Sequence, residues 1–205
     1  MKGFISIEDS FKEKGTVSVR GWIYRIRKMK DKIFIVLRDS SDIVQLVIKD
    51  PKLVKISDKL LMESSLEITG KIYKEERAPT GHEIEVKELK VIHNAEDFPI
   101  NKDQSREFLD DNKHLWIRSR KMVAIMKIRS TVFGAIHEYF RKQAFYEFQS
   151  PIIIPGGAEE GPTLFEIKYF DKKMYLTQTW QLYAEAALFG LEKIYCIAPS
   201  FRAEK

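Results

Sequence analysis

Cysteine is nearly absent. Cys196 is the only one in 205 residues, which excludes an internal disulfide framework and a thiol-based metal cluster. No apolar run approaches the length a bilayer-spanning helix needs. The opening "MKGFISIEDSFKEK" is charged throughout, unlike a secretory signal peptide. Together these features point to a reducing, cytoplasmic setting. Net charge is small as well, +5 from 35 Lys and Arg against 30 Asp and Glu, so the overall balance selects no class of partner. Apolar material is plentiful: 44% of residues are hydrophobic and 32% charged, the mix of a globular chain long enough for two domains without staples.

The chain changes period partway along. From Thr16 to about His93 the signals are short strands. "TVSVRGWIYRIR" alternates, "KIFIVLRD" and "DIVQLVIKD" follow across brief polar breaks, then "SSLEITGKIYKEE" and "EIEVKELKVIH". Between the third and fourth lies "PKLVKISDKLLMESS", whose apolar spacing suits an amphipathic helix. Five strands with a helix after the third is the order of an OB-fold, a small barrel whose sheet face binds oligonucleotides. Residues 1–95 are assigned to it. Residues 96–118, polar and interrupted by Pro99, read as an irregular hinge. Residues 119–205 read as a second, α+β domain. It opens with a helix over "RKMVAIMKIRSTVFGAIHEYFRKQ", whose methionines fill a core. A buried strand in "AFYEFQSPIIIPGG", a hairpin turning near Asp171, a helix over "QLYAEAALFGLEK" and a final strand over "IYCIAPSFRAE" complete it.

Charge is concentrated in "RGWIYRIRKMKDK", where Arg20, Arg25, Arg27, Lys28, Lys30 and Lys32 outweigh the single acid Asp31. A solvated surface strand is one explanation. Interleaved Trp22 and Tyr24 allow another, because single-stranded nucleic acid offers bases to stack and phosphates to neutralise.

Four segments in order, "FYEFQSPIIIP", "EEGPTLF", "TQTWQLYAEA" and "APSFRAEK", resemble class II aminoacyl-tRNA synthetases of the aspartyl, asparaginyl and lysyl subgroup, and within it the archaeal-type asparaginyl members. The first resembles class II motif 1, which implies a homodimer with Pro151 at its interface. "FRAE" resembles the start of motif 2 and implies that Arg202 and Glu204 bind ATP, with Arg202 catalytic. The physics agrees: adenylate formation is an in-line attack on the α-phosphate, governed by positioning and charge neutralisation. A planar guanidinium can bridge carboxylate and phosphate. On a strand, Glu204 would share the face of Arg202. Without the upstream segments, the pair would be an ordinary exposed ion pair. The resemblance further implies an amino-acid site of Glu160, Thr179, Gln181 and Glu185. Pro162 shortens the first of these loops, so Glu159 competes with Glu160, and Thr179 could also serve as a helix cap.

After Gln-Leu-Tyr the aspartyl relatives carry a lysine for the substrate carboxylate; here Ala184 and Glu185 follow. A carboxylate accepts from an asparagine amide and repels an acid. At ~4 Å and an effective dielectric of ~20 that difference is on the order of 4 kcal/mol. The implied reaction is ATP-dependent activation of asparagine and its transfer to tRNA(Asn). An aspartyl-tRNA synthetase, discriminating or non-discriminating, and a non-catalytic tRNA-binding module are the alternatives. Glu185 could equally be an exposed helix residue. In the barrel, the resemblance assigns Arg27, Phe34 and Gln45 to the anticodon: Phe34 would stack on the central uridine while the other two bond its edge. Read by itself, Phe34 is a core residue. ATP is expected as its magnesium complex, with the magnesium ligands outside this chain. The remainder of motif 2 and motif 3 are not among these residues, so the chain is expected to be the N-terminal portion of a synthetase and inactive alone.

Overall fold

The computed structural model describes residues 3–100, 104–156 and 164–203. The chain divides into two compact units, Met1–Leu109 and Asp110–Lys205. No helix among the described residues is long and apolar enough to cross a membrane.

The first unit begins with a short helix, α1 (Ile7–Ser10), and then β1 (Gly15–Lys28), β2 (Ile33–Arg38), β3 (Ile43–Ile48), α2 (Pro51–Ser57), β4 (Ser65–Lys74) and β5 (His82–His93). The strands close into a barrel in the order β1-β2-β3-β5-β4, with β4 returning to β1. All neighbours are antiparallel except β3 and β5. This is the OB-fold that the strand order predicts. Inward residues such as Val19, Ile23, Ile35, Leu37, Leu46 and Ile68 are at most 1% exposed. Closure is tight where β1 and β4 pass their neighbours: a Cβ on Gly21 would lie 2.2 Å from the Arg38 carbonyl oxygen, and one on Gly70 2.3 Å from that of Glu85. Only glycine fits these corners.

Alternation along β1 fails at one point, and the failure matters. Ile23 pairs with Leu37 and Arg25 with Val36, leaving Tyr24 as an extra residue in the strand. Strict alternation from Val17, Val19 and Ile23 would aim Arg25 and Arg27 into the core. The bulge shifts the count by one, so Ile26 packs on the core and both arginines turn outward.

Helix α2 is capped by Asp50, whose carboxylate accepts from the backbone of Lys52 (2.8 Å) and Leu53 (3.1 Å), with Pro51 at the first position. It stops at Ser57, well short of the amphipathic segment. Further on, Glu63 takes a positive φ of 67° and the backbone of Glu63 and Ser64 bonds to Ile23, extending the β1 ladder. Tertiary pairing overrides helical spacing there. The segment expected to be an irregular hinge contains α3 (Arg106–Asp111) and α4 (Lys113–Trp116).

In the second unit α5 (Arg120–Lys142) starts at Ser119, whose hydroxyl accepts from the Met122 N–H. Then come β6 (Tyr146–Glu147), β7 (Ile153–Ile154), β8 (Glu166–Tyr169), β9 (Lys172–Leu176), α6 (Gln181–Leu191) and β10 (Ile194–Tyr195). A three-stranded antiparallel sheet runs β7-β9-β8, and β10 pairs with β6 in parallel. The hairpin turns at Phe170 and Asp171 as expected, with Phe170 at φ 52°.

Three expectations fail here. The single buried strand is two short ones, of whose residues only Ile154 is buried. The final strand extends only over Ile194 and Tyr195, the residues for which β6 supplies a pairing partner. None of α5 is buried, so its methionines fill no core: Met126 is 39% exposed.

Candidate functional site

On the outer face of the barrel, register brings the three anticodon candidates together. Arg27 is opposite Phe34 across β1 and β2, Val36 links Arg25 to Gln45, and Gln45 is opposite Glu83 on β5. An open groove of ≈ 740 Å³ lies over them, lined also by Lys32, Lys49 and Arg77. Phe34 is half-buried on the outward side, between the core residues Ile33 and Ile35. It is therefore not a core residue. The Lys32 ammonium lies 5.4 Å from its ring centre, leaving an aromatic face amid cations.

Sequence reasoning missed two residues here, Glu83, which lines the groove, and Tyr73, which is bonded to it. Glu83, only 8% exposed, accepts from Gln45 Nε2 at 2.7 Å and from the Tyr73 hydroxyl at 2.9 Å. A carboxylate accepts only, so the Gln45 amide must turn its NH2 to Glu83, leaving Oε1 and one N–H for a ligand. Burial, and then the hydrogen bond to Glu83, push the Tyr73 hydroxyl well above its ordinary pKa. The sequence signal was only an acid and a tyrosine on outward strand positions, residues which many surface strands carry.

In the second unit a cleft of ≈ 350 Å³ is lined by Ile154, Pro155, Gln178, Thr179, Tyr183 and Ala186, among others. Of the amino-acid candidates, Thr179 borders it. Gln181 and Glu185 lie one turn apart on the neighbouring exposed side of α6, where Gln181 Nε2 donates to Glu185 Oε1 at 2.9 Å. The Thr179 hydroxyl accepts from the Gln181 N–H at 3.2 Å, but it is not the N-cap: that position is Trp180, which makes no side-chain cap bond. Ala184, at 7% exposure, faces inward. Glu160 and Glu204 lie outside the described residues. The Phe201 N–H donates to the Thr177 carbonyl at 3.0 Å, which sets Arg202 beside the chain leading into Thr179. Arg202 is exposed and not on a strand. Pro151 is exposed just ahead of β7. Among the described residues no three His, Cys, Asp or Glu side chains are grouped to hold a metal ion.

Residues 17–92 match the family model for the OB-fold nucleic acid binding domain, and residues 105–205 match that for tRNA synthetases class II (D, K and N). The chain is 48% identical over 192 residues to the asparagine–tRNA ligase of Thermococcus gammatolerans, covering 92% of this chain and 45% of that one. It is 42% identical over 193 residues to the asparagine–tRNA ligase of Thermoplasma acidophilum, with the same coverage. It superposes on the crystal structure of asparaginyl-tRNA synthetase from Pyrococcus horikoshii complexed with asparaginyl-adenylate at a TM-score of 0.90 and 40% identity, covering all of this chain and 49% of that one. The chain thus spans about half the length of the relatives it matches. With a barrel of the OB type and, after it, a domain matching the class II model to the last residue, it belongs to the class II aminoacyl-tRNA synthetases of the aspartyl, lysyl and asparaginyl group.

Proposed function

We propose that these residues form the anticodon-binding barrel and part of the catalytic domain of an asparaginyl-tRNA synthetase, which activates asparagine with ATP and transfers it to tRNA(Asn). The observation that carries the reading is the likeness, along the whole chain, to an enzyme solved with asparaginyl-adenylate. The local chemistry is consistent with it. An α-ammonium donates hydrogen bonds, and with its NH2 committed to Glu185, Gln181 has its carbonyl oxygen left to accept one. Thr179 and Glu160 are assigned to the same ammonium. Glu185 would accept from the side-chain amide of asparagine and repel aspartate, whereas Ala184 offers aspartate no cation. Arg202 would neutralise charge developing at the α-phosphate, and Glu204 is assigned with it to ATP.

In the groove, the Phe34 ring would stack on the central anticodon base. The Gln45 carbonyl would accept from uracil N3–H and its remaining N–H would donate to a uracil oxygen, while cytosine, with an acceptor at N3, would face an acceptor. Arg27 supplies a further donor on the same face. A second copy of the chain, meeting Pro151 and the apolar side of α5, would form the homodimer. The setting would be cytoplasmic.

Pyrophosphate exchange tests the catalytic reading. The whole protein containing this chain should exchange with asparagine and not with aspartate; the reverse preference would establish the aspartyl alternative. The 205 residues alone should not exchange. For the barrel, Phe34→Ala should weaken binding of a tRNA(Asn) anticodon stem-loop by roughly tenfold or more, measured by fluorescence anisotropy, since a base–aromatic stack contributes ~1–3 kcal/mol. Unchanged binding would remove the anticodon role.

A further inference from the structure

The aromatic and cationic surface does not end at the groove. Along the same outer face of β1 and β2 stands Trp22, 46% exposed, although tryptophan is among the most buried side chains on average. The Arg38 guanidinium lies 5.4 Å from its ring centre and is held there by Glu63, whose two carboxylate oxygens accept from Arg38 Nη2 at 2.8 and 2.6 Å. Across β1 on the other side, its neighbour on β4 is the small Ser65. One flank of the indole is therefore braced by a fixed cation, and the strand neighbour on the other is a small serine. Two more pairs repeat the pattern nearby: Arg25 lies 5.4 Å from the Tyr24 ring centre, and Arg20 lies 5.4 Å from that of the exposed Phe4.

Two acids beside this surface are already committed. Glu63 holds Arg38, and Glu67, opposite Arg20, pairs with Lys90 at 3.0 Å. On β2, Phe34 and Arg38 are four residues apart, ~13 Å at the rise of a strand. An extended single strand covers that distance in a few nucleotides, well within the site sizes of a single OB barrel.

We propose that Trp22, braced by Arg38, is a second base-stacking site, taking a nucleotide of the single-stranded loop that flanks the base on Phe34, with Arg25 on the intervening phosphate and Arg20 on the phosphate beyond Trp22. The proposal rests on the reading of the barrel as an anticodon-loop surface. Charge complementarity selects RNA over an apolar partner: the rings of Phe4, Trp22, Tyr24 and Phe34 each have a cation beside them, and polyanion binding rewards that pairing.

The test uses the 205-residue chain and a set of anticodon stem-loops in which each loop nucleotide flanking the central base is replaced in turn by an abasic ribose. Wild type should lose about tenfold in affinity at one flanking position. Trp22→Ala should bind the intact loop about tenfold more weakly and be indifferent to that same abasic site, while Trp22→Phe should keep most of the affinity. Emission of Trp22 in a Trp116→Phe, Trp180→Phe background should be quenched on adding the intact loop, a readout that does not depend on the alanine variant folding. If Phe34→Ala weakens binding while Trp22→Ala leaves the abasic profile unchanged, or if Trp22 emission does not respond, the second site is overturned and the groove stands. If neither ring matters and the loop does not bind, both readings fall together.

Discussion

The two units draw on similar apolar residues but bury them very differently. In the barrel the inward side chains of five strands converge on a continuous core, many of them at zero exposure. In the second unit, among the described residues, only Ile154, Thr177, Ala184 and Tyr195 are buried, and the 23-residue α5 contributes none. Leu188, Phe189, Ile128 and Val132 are at least 42% exposed there. The difference lies in closure. A barrel pairs every strand and gives each inward side chain neighbours on all sides. An open three-stranded sheet and a two-strand parallel pair leave edges and faces that nothing within the unit covers. Apolar content thus sets what can be buried, and topology decides what is.

The largest consequence concerns local stability. Amide hydrogen exchange should separate the units: ladder amides of β1 to β5 exchange only through global opening, whereas those of β6 to β10 open locally. Protection in the barrel should exceed that in the second unit by at least about a thousandfold. Equal protection would show that burial within each unit does not govern its opening.

A matched pair of substitutions sharpens the same contrast. Leu46 is fully buried and Leu188 is 42% exposed. Leu46→Ala should cost about 3 kcal/mol through lost transfer energy and the cavity left behind. Leu188→Ala should cost less than about 0.5 kcal/mol. Urea denaturation followed separately in each unit, by circular dichroism or by exchange, gives both numbers. A Leu188 cost as large as that of Leu46 would mean that the second unit has a core not visible in its exposures.

The sequence made the barrel legible because its signals are local. Alternation in "KIFIVLRD" survives into β2, the apolar run of "DIVQLVIKD" becomes the almost wholly buried β3, and the strand count with one intervening helix specified the order. What escaped depended on partners distant along the chain. Nothing within "GWIYRIR" says that Tyr24 is the extra residue; only pairing with β2 does, and that bulge is what turns Arg27 toward Phe34. Glu83 enters the groove through a contact with Gln45 spanning 38 positions. In the second unit the failure was of another kind. "IYCIAPSFRAE" has the composition of a strand, but a strand persists only where a neighbour completes its ladder, which here means Ile194 and Tyr195. Likewise the apolar spacing of α5 correctly marked a helix, whereas its burial was inferred from a core that this unit does not supply. Of the candidate site, the residue types were legible and their hydrogen-bond commitments were not: the pairing of Gln181 with Glu185 fixes which of the glutamine's atoms remains available.

The smallest effect probes how the groove is held. Tyr73 donates to the nearly buried Glu83, which in turn fixes Gln45. Burial and then that carboxylate raise its pKa above the ordinary value near 10. A hydroxyl with a folded-state pKa raised above the unfolded value favours folding fully below pH ~10, and that contribution is lost as pH climbs toward the folded value. Tyr73→Phe should therefore lower stability at neutral pH by about 1 kcal/mol, the typical worth of one hydrogen bond, and flatten the decline above pH ~10. Tyrosinate absorbance followed from pH 9 upward checks this: wild type should show a late-ionising phase that Tyr73→Phe lacks. If that phase persists in Tyr73→Phe, the carboxylate of Glu83 is not what holds the Tyr73 proton, and the orientation inferred for Gln45 loses its anchor.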